Sequence, residues 1–220
     1  MTVHITVIAK APIPGRVKSR LCPPCSPEQA AEIAAAALAD TFDALDTVRD
    51  CIDGVPVDRY LLLDGEPQAW MPSRYAPVPQ RGNGLGERLR NGFADLGAGA
   101  VVGMDTPHVA HLLDRALDWL AADTDVLGLA DDGGYWMIGL GTGALEALDD
   151  VFCDIPMSTP ITGDAQLGRL RQLGRPVELL ASARDLDTID DLHAVAGTRH
   201  PGRLAAAAAA TIASLADREK

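Results

Sequence analysis

Short apolar runs alternate with amphipathic segments along almost the whole chain, and that alternation leaves few folds open. The runs at 3–8, 57–63, 75–78, 100–104, 126–130, 135–140 and 177–180 have the length of strands. Helical patterns separate them at about 26–48, 87–96, 107–120 and 162–173, with an Ala-rich segment at roughly 201–216. The pattern predicts a three-layer α/β/α domain with a mostly parallel sheet. One connection departs from it. The run at 135–140 follows its predecessor after only four residues, and a parallel crossover needs about a dozen. That run is expected to be antiparallel, which makes the sheet mixed. A chain of 220 residues suits one such domain.

Local signals support the helix starts. Ser26, Pro27 and Gln29 form a capping-box pattern with proline at the first helical position. Thr106 before Pro107 is expected to cap the next helix but one, and Thr188 with Asp191 to open a short late helix.

The first strand runs straight into a loop rich in Pro and Gly that carries Lys10, Arg16, Lys18 and Arg20. Pro12, Pro14 and Gly15 set its turns. Four cations in eleven residues are out of character in a chain of net charge −12. At the carboxyl end of a sheet strand they read as a phosphate-binding loop. It is not a P-loop, because the G-x-x-x-x-G-K-[ST] order is missing. The acidic pI of about 4.7 argues against broad nucleic-acid binding but not against a nucleotide held through a cation.

Carboxylates mark the other strand ends. Asp105 follows the run at 100–104 and is left free if Thr106 caps, so it reads as a metal ligand. Asp132, favoured over Asp131, reads as a site residue, with Gly133 and Gly134 letting a substrate lie against the backbone. Asp187 precedes the Thr188 cap and can point toward a metal. Asp190 and Asp191 fit helix-start electrostatics instead. Gly84 belongs to a glycine-punctuated loop that feeds a helix.

Other features read as structural. The Cys22-Pro-Pro-Cys25 spacing lacks a second C-x-x-C to complete a zinc site, so its thiols are expected to flank a turn. His108 and His111 are expected at the surface, and Trp136 in the core. No apolar run reaches the roughly 20 residues of a membrane span, and no leader pattern is recognisable, so a cytoplasmic location is expected.

Four segments occur in a familiar order: Ala-Lys-Ala-Pro-Ile-Pro-Gly-Arg-Val-Lys-Ser-Arg-Leu, Gly-Met-Asp-Thr-Pro, Asp-Asp-Gly-Gly-Tyr-Trp-Met-Ile-Gly-Leu and Asp-Leu-Asp-Thr-Ile-Asp-Asp-Leu. Together they resemble a bacterial glycosyltransferase-like family of the nucleotide-diphospho-sugar transferase superfamily, similar to the 2-phospholactate guanylyltransferases. The resemblance implies a glycosyltransferase A-type fold: a Rossmann-like nucleotide-binding half at about 1–105, an acceptor and metal half at about 106–200, and a peripheral C-terminal helix at 201–220. It implies nucleotide and phosphate contacts from Ala9, Lys10, Gly15, Arg16, Lys18 and Arg20. Substrate contacts are expected from Gly84, Thr106, Gly133, Gly134 and Tyr135. Asp105 and Asp132 would be catalytic, and Asp105 with Asp187 would hold Mg²⁺ or Mn²⁺. Two departures matter. The superfamily's glycosyltransferases often carry Asp-x-Asp at the central strand end, where this chain has Gly-Met-Asp. The guanylyltransferases lack the Asp-Gly-Gly-Tyr element. The expected activity is a metal-dependent transferase using an NDP-sugar and a small-molecule acceptor. The alternatives are a nucleotidyltransferase that releases pyrophosphate and a nucleotide-binding module without turnover.

Overall fold

The computed structural model describes residues 2–197 and 202–218. Strand β1 (Val3–Lys10) shows how the sheet is built. Val3, Ile5, Val7 and Ala9 point to one face and Ile8 packs on the other, the period of two that a doubly covered sheet requires. Beyond β1 come α1 (Pro27–Leu45), β2 (Cys51–Ile52), β3 (Val55–Asp64), β4 (Ala76–Pro79), α2 (Leu85–Leu96) and β5 (Gly99–Gly103). The chain continues through α3 (Leu113–Ala121), β6 (Asp125–Ala130), β7 (Tyr135–Leu140), α4 (Thr142–Leu145) and α5 (Leu148–Phe152). It ends with α6 (Thr162–Gln172), β8 (Val177–Ala183), α7 (Ile189–Ala196) and α8 (Arg203–Arg218).

The eight strands run β2-β3-β1-β5-β7-β6-β8, with β4 also pairing β3. The β1–β3, β1–β5, β3–β4 and β6–β8 pairs are parallel. As expected, β7 is antiparallel, and it lies between β5 and β6. The carboxyl ends of β1, β3, β5, β6 and β8 therefore share one edge, where ligands bind in open α/β sheets. One face is covered by α1 and α3, whose Leu38, Phe42, Leu113 and Leu117 meet β1 and β3. On the other face, α2, α4, α5 and α6 bring Leu89, Phe93, Ala144, Val151 and Leu170. Outside α1, a further cluster joins Leu21, Ile33, Leu192, Leu204 and Ala208.

The predicted capping box forms at Ser26/Gln29, and the predicted Thr188 cap closes into a second box with Asp191. The Thr106 cap does not form. Its hydroxyl accepts no helix N–H, and the segment opens as a 3₁₀ helix at Pro107–Leu112 before α3 begins. With no cap to anchor an α-turn, its first turn closes three residues apart, Val109 N–H to Thr106 carbonyl at 3.3 Å. Helices α4 and α5 leave no signal in the sequence, because four and five residues are too few to show a period. The expected start of the last helix at Pro201 lies outside the described residues. Among those described, no helix is long and apolar enough to cross a membrane.

Candidate active site

A cleft of about 790 Å³ opens over the shared strand edge. Ala9 and Lys10 reach it from the end of β1, and Arg16, Lys18 and Arg20 from the loop that follows. Gly84 enters from the start of α2, where its positive φ of 98° suits a residue without a side chain. Asp105 comes from beyond β5, Asp132, Gly134 and Tyr135 from the β6–β7 turn, and Asp187 from the loop after β8. Four loops far apart in sequence thus meet because β1, β5, β6 and β8 run in the same direction in one sheet.

Three predicted residues do not line the cleft. Gly15, at φ 77°, shapes the turn of the basic loop. Thr106 is buried beside Asp105, and its Oγ1 has no hydrogen-bond partner. Gly133 faces Pro160: a Cβ there would lie 1.9 Å from the Pro160 carbonyl oxygen. The glycine lets the 159–163 segment close over the β6–β7 turn, and Gly163 N–H then donates to the Gly133 carbonyl at 2.8 Å. That contact is what puts Ser158, Thr159, Pro160 and Thr162 on the cleft wall.

The charges are arranged in two groups. Lys18 donates to Asp105 and to the Leu186 carbonyl, and to Asp187 Oδ1 at 3.2 Å; Arg20 takes Asp187 Oδ2 at 2.7 Å. Burial works against the charge on Lys18, but Asp105 and Asp187 outweigh it and hold the ammonium pKa above its ordinary value. The second group lies at the β3 end. There Arg88 holds Asp64 at 3.0 Å and Gln80 at 3.1 Å, with Arg16 3.8 Å from Asp64. The amide of Gln80 also donates to the Ala9 and Leu62 carbonyls at 2.7 and 2.9 Å, tying it to two strand ends.

Among the cleft residues that sequence reasoning did not single out, Asp185 is the titratable one beside the predicted acids. Burial, followed by repulsion from Asp105, Asp132 and Asp187, raises its carboxyl pKa to about 6. Carboxylate oxygens of Asp132, Asp185 and Asp187 lie within 4.8 Å of one another. A signal was present: in extended chain, residues two apart share a side. Asp-Leu-Asp places both acids together while Leu186 turns into the core, 1% exposed. Asp185-Leu-Asp187 is an Asp-x-Asp sequence that stands after β8 and not after β5. Three carboxylates form a hard oxygen donor set that fits a divalent cation of the Mg²⁺ or Mn²⁺ kind. Asp105 lies beside this group and shares the Lys18 ammonium with Asp187.

Further features sit where expected or near it. Trp136 is buried and donates to the Ala181 carbonyl at 3.2 Å. Burial pushes the Tyr135 hydroxyl pKa well up, and the hydroxyl faces the Met157 sulfur at 3.6 Å. His108 and His111 are exposed. Cys25 and Cys22 belong to the cluster around Leu21 and Ile33.

A family profile described as "Uncharacterized protein conserved in bacteria (DUF2064)" matches residues 47–159. Among solved structures, the chain is similar to one from Desulfovibrio desulfuricans G20 described as a "putative nucleotide-diphospho-sugar transferase". The two share 23% identity with a TM-score of 0.82, over 98% of this chain and 97% of that one. It is also similar to a CMP:2-keto-3-deoxy-manno-octonic acid synthetase complexed with CTP. There the identity is 13% and the TM-score 0.52, over 88% of this chain and 96% of that one. At such identities the likeness is one of fold. No curated protein matches the chain.

Proposed function

The chain belongs to the DUF2064 family, and from its fold and its cleft we propose a divalent-cation-dependent transferase that uses a nucleotide-activated donor. One observation carries the reading: a cationic loop and four aspartates from three other strand ends converge on one cleft. The basic loop suits the donor's phosphates. Asp132, Asp185 and Asp187 would hold the cation, which when bound supplies positive charge to the leaving phosphate. Arg16 and Lys10 orient the phosphate chain, and the backbone at Gly84 leaves room for the nucleoside. Asp132 accepts the Gly134 N–H at 2.7 Å, so its carboxylate is held in place at the cleft mouth. The wall made by Gly134, Tyr135, Thr159 and Pro160 borders the acids and gives an acceptor a place to lie.

Of the two chemistries, transfer of a sugar from an NDP-sugar is the first reading, because the Asp132–Tyr135 turn and the 158–162 wall extend the cleft beyond the phosphate loop. Nucleotidyl transfer from an NTP is the second. Its support is the four cations, Lys10, Arg16, Lys18 and Arg20, which exceed what a diphosphate requires. The test is a panel of NDP-sugars and NTPs with Mn²⁺ or Mg²⁺ and pooled small-molecule acceptors. The expected result is acceptor-dependent release of NDP from one sugar nucleotide, reduced at least a hundredfold in Asp187→Asn. Acceptor-dependent pyrophosphate would establish the second reading instead. Nucleotide binding without any product would leave a binding module.

A further inference from the structure

Lys18 is an unusual cation for a phosphate loop. The chain has three lysines, Lys10, Lys18 and Lys220, against sixteen arginines, so a lysine here is not the chain's habit. Its side chain is 8% exposed. An ammonium has three N–H donors and no acceptor, and here all three are used: on Asp105, on the Leu186 carbonyl and on Asp187. Three oxygens, two of them from carboxylates, are the partners a small hard cation takes. A compact point charge fits among them where a planar guanidinium fork does not. With every N–H taken, Lys18 has none left to offer a phosphate.

The carboxylate it shares is also the one a divalent cation would need. Asp187 belongs to the Asp132–Asp185–Asp187 group, whose oxygens lie within 4.8 Å, and its Oδ1 is 3.2 Å from the Lys18 ammonium. A doubly charged ion on that group and the ammonium would repel each other across a few ångströms. Both also draw on the same oxygens.

We propose that Lys18 is the resident counter-ion of the Asp105–Asp187 pair in the cation-free protein, that a divalent cation displaces it, and that the released ammonium becomes a partner for the substrate's phosphate. The inference rests on the cation-dependent reading above and adds an order to it: cation first, then phosphate. It also makes Lys18 a brake on cation affinity.

Two measurements without nucleotide test it. In the wild-type protein, lysines are reductively methylated and the 18-containing peptide is followed by mass spectrometry, with Lys10 as the exposed reference. We expect Lys18 to be protected in chelator and its modification rate to rise at least tenfold at saturating Mn²⁺, with Lys10 unchanged. Second, free Mn²⁺ is titrated by electron paramagnetic resonance. Lys18→Gln is expected to bind Mn²⁺ at least fivefold more tightly than wild type. If Mn²⁺ binds and Lys18 stays equally protected, the displacement is wrong while the transferase reading stands. Unchanged or weaker Mn²⁺ affinity in a folded Lys18→Gln overturns it likewise. If wild type binds no Mn²⁺ at millimolar concentration, both readings fall. Should the variant fail to fold, the methylation result decides alone.

Discussion

His4 is a titratable residue placed where an apolar one would pack. It is 2% exposed, beside Tyr60 and Phe93. Nε2 lies 3.1 Å from the Gly97 carbonyl and Nδ1 2.9 Å from Thr6 Oγ1. That network assigns the ring proton to Nε2, with Nδ1 accepting from the threonine. Burial lowers its pKa to about 4 from the usual 6.5, against the opposing effect of the Gly97 bond. Between those values the unfolded chain binds the extra proton. Stability is therefore complete above pH 6.5 and falls as the pH drops toward 4, by about 3 kcal/mol from this group at most. The expected outcome is a melting temperature that declines between pH 7 and 4.5, with a shallower decline in His4→Phe. Equal slopes in the two proteins would assign the acid limb to other groups. The comparison of slopes matters more than either melting temperature, since the substitution itself leaves the Gly97 carbonyl without its donor.

At the scale of elements, the β6–β7 turn decides whether the cleft has its second wall. Gly133 sits at φ 89° with its missing side chain against Pro160. Gly133→Ala meets both the strained backbone region and a backbone carbonyl that cannot step aside. A loss of about 2 kcal/mol or more is expected, read as a drop in the denaturation midpoint. Nucleotide affinity should fall with it, because the 158–162 wall is displaced. A variant of wild-type stability would show that the turn has freedom the structure does not suggest. Sequence reasoning places the turn and gives both glycines to a substrate; Gly134 lines the cleft, whereas Gly133 packs against Pro160. The partner of Gly133 is a loop 27 residues later in the chain, a contact that no local pattern carries. All strands but the two-residue β2, and the long helices, are legible in the sequence because periodicity and capping boxes are local properties. The break after Pro107 is not, since it turns on where a buried Thr106 hydroxyl points. At the site, the Asp105–Lys18 pairing follows from Lys18 lying over the β5 end. Only the strand order β1–β5 reveals that.

For the molecule as a whole, the C-terminal helix is the element whose importance is easiest to misjudge. Its Ala-rich sequence reads as a peripheral cover. Yet Leu204 and Ala208, 5% and 0% exposed, share a cluster with Leu186, Leu192 and Ile33. Leu186 lies between Asp185 and Asp187, so α8 supports from behind the loop whose two acids face the cleft. The N-terminal half contributes as well, for α1 supplies Ile33 to that cluster and its Thr41 donates to the Met104 carbonyl at 3.0 Å, next to Asp105. One packed unit therefore sets the distance between the two acidic segments. Leu204→Ala removes a large side chain from its centre, and the expected cost is about 2–4 kcal/mol. A merely peripheral helix would stop there. If the cluster positions Asp185 and Asp187, Mn²⁺ affinity should also weaken severalfold at a temperature well below the variant's melting point. Urea denaturation and a Mn²⁺ titration on the same protein separate the two cases. Lower stability with wild-type Mn²⁺ affinity would mean that β8 and the Thr188–Asp191 capping box hold the acids without help from α8.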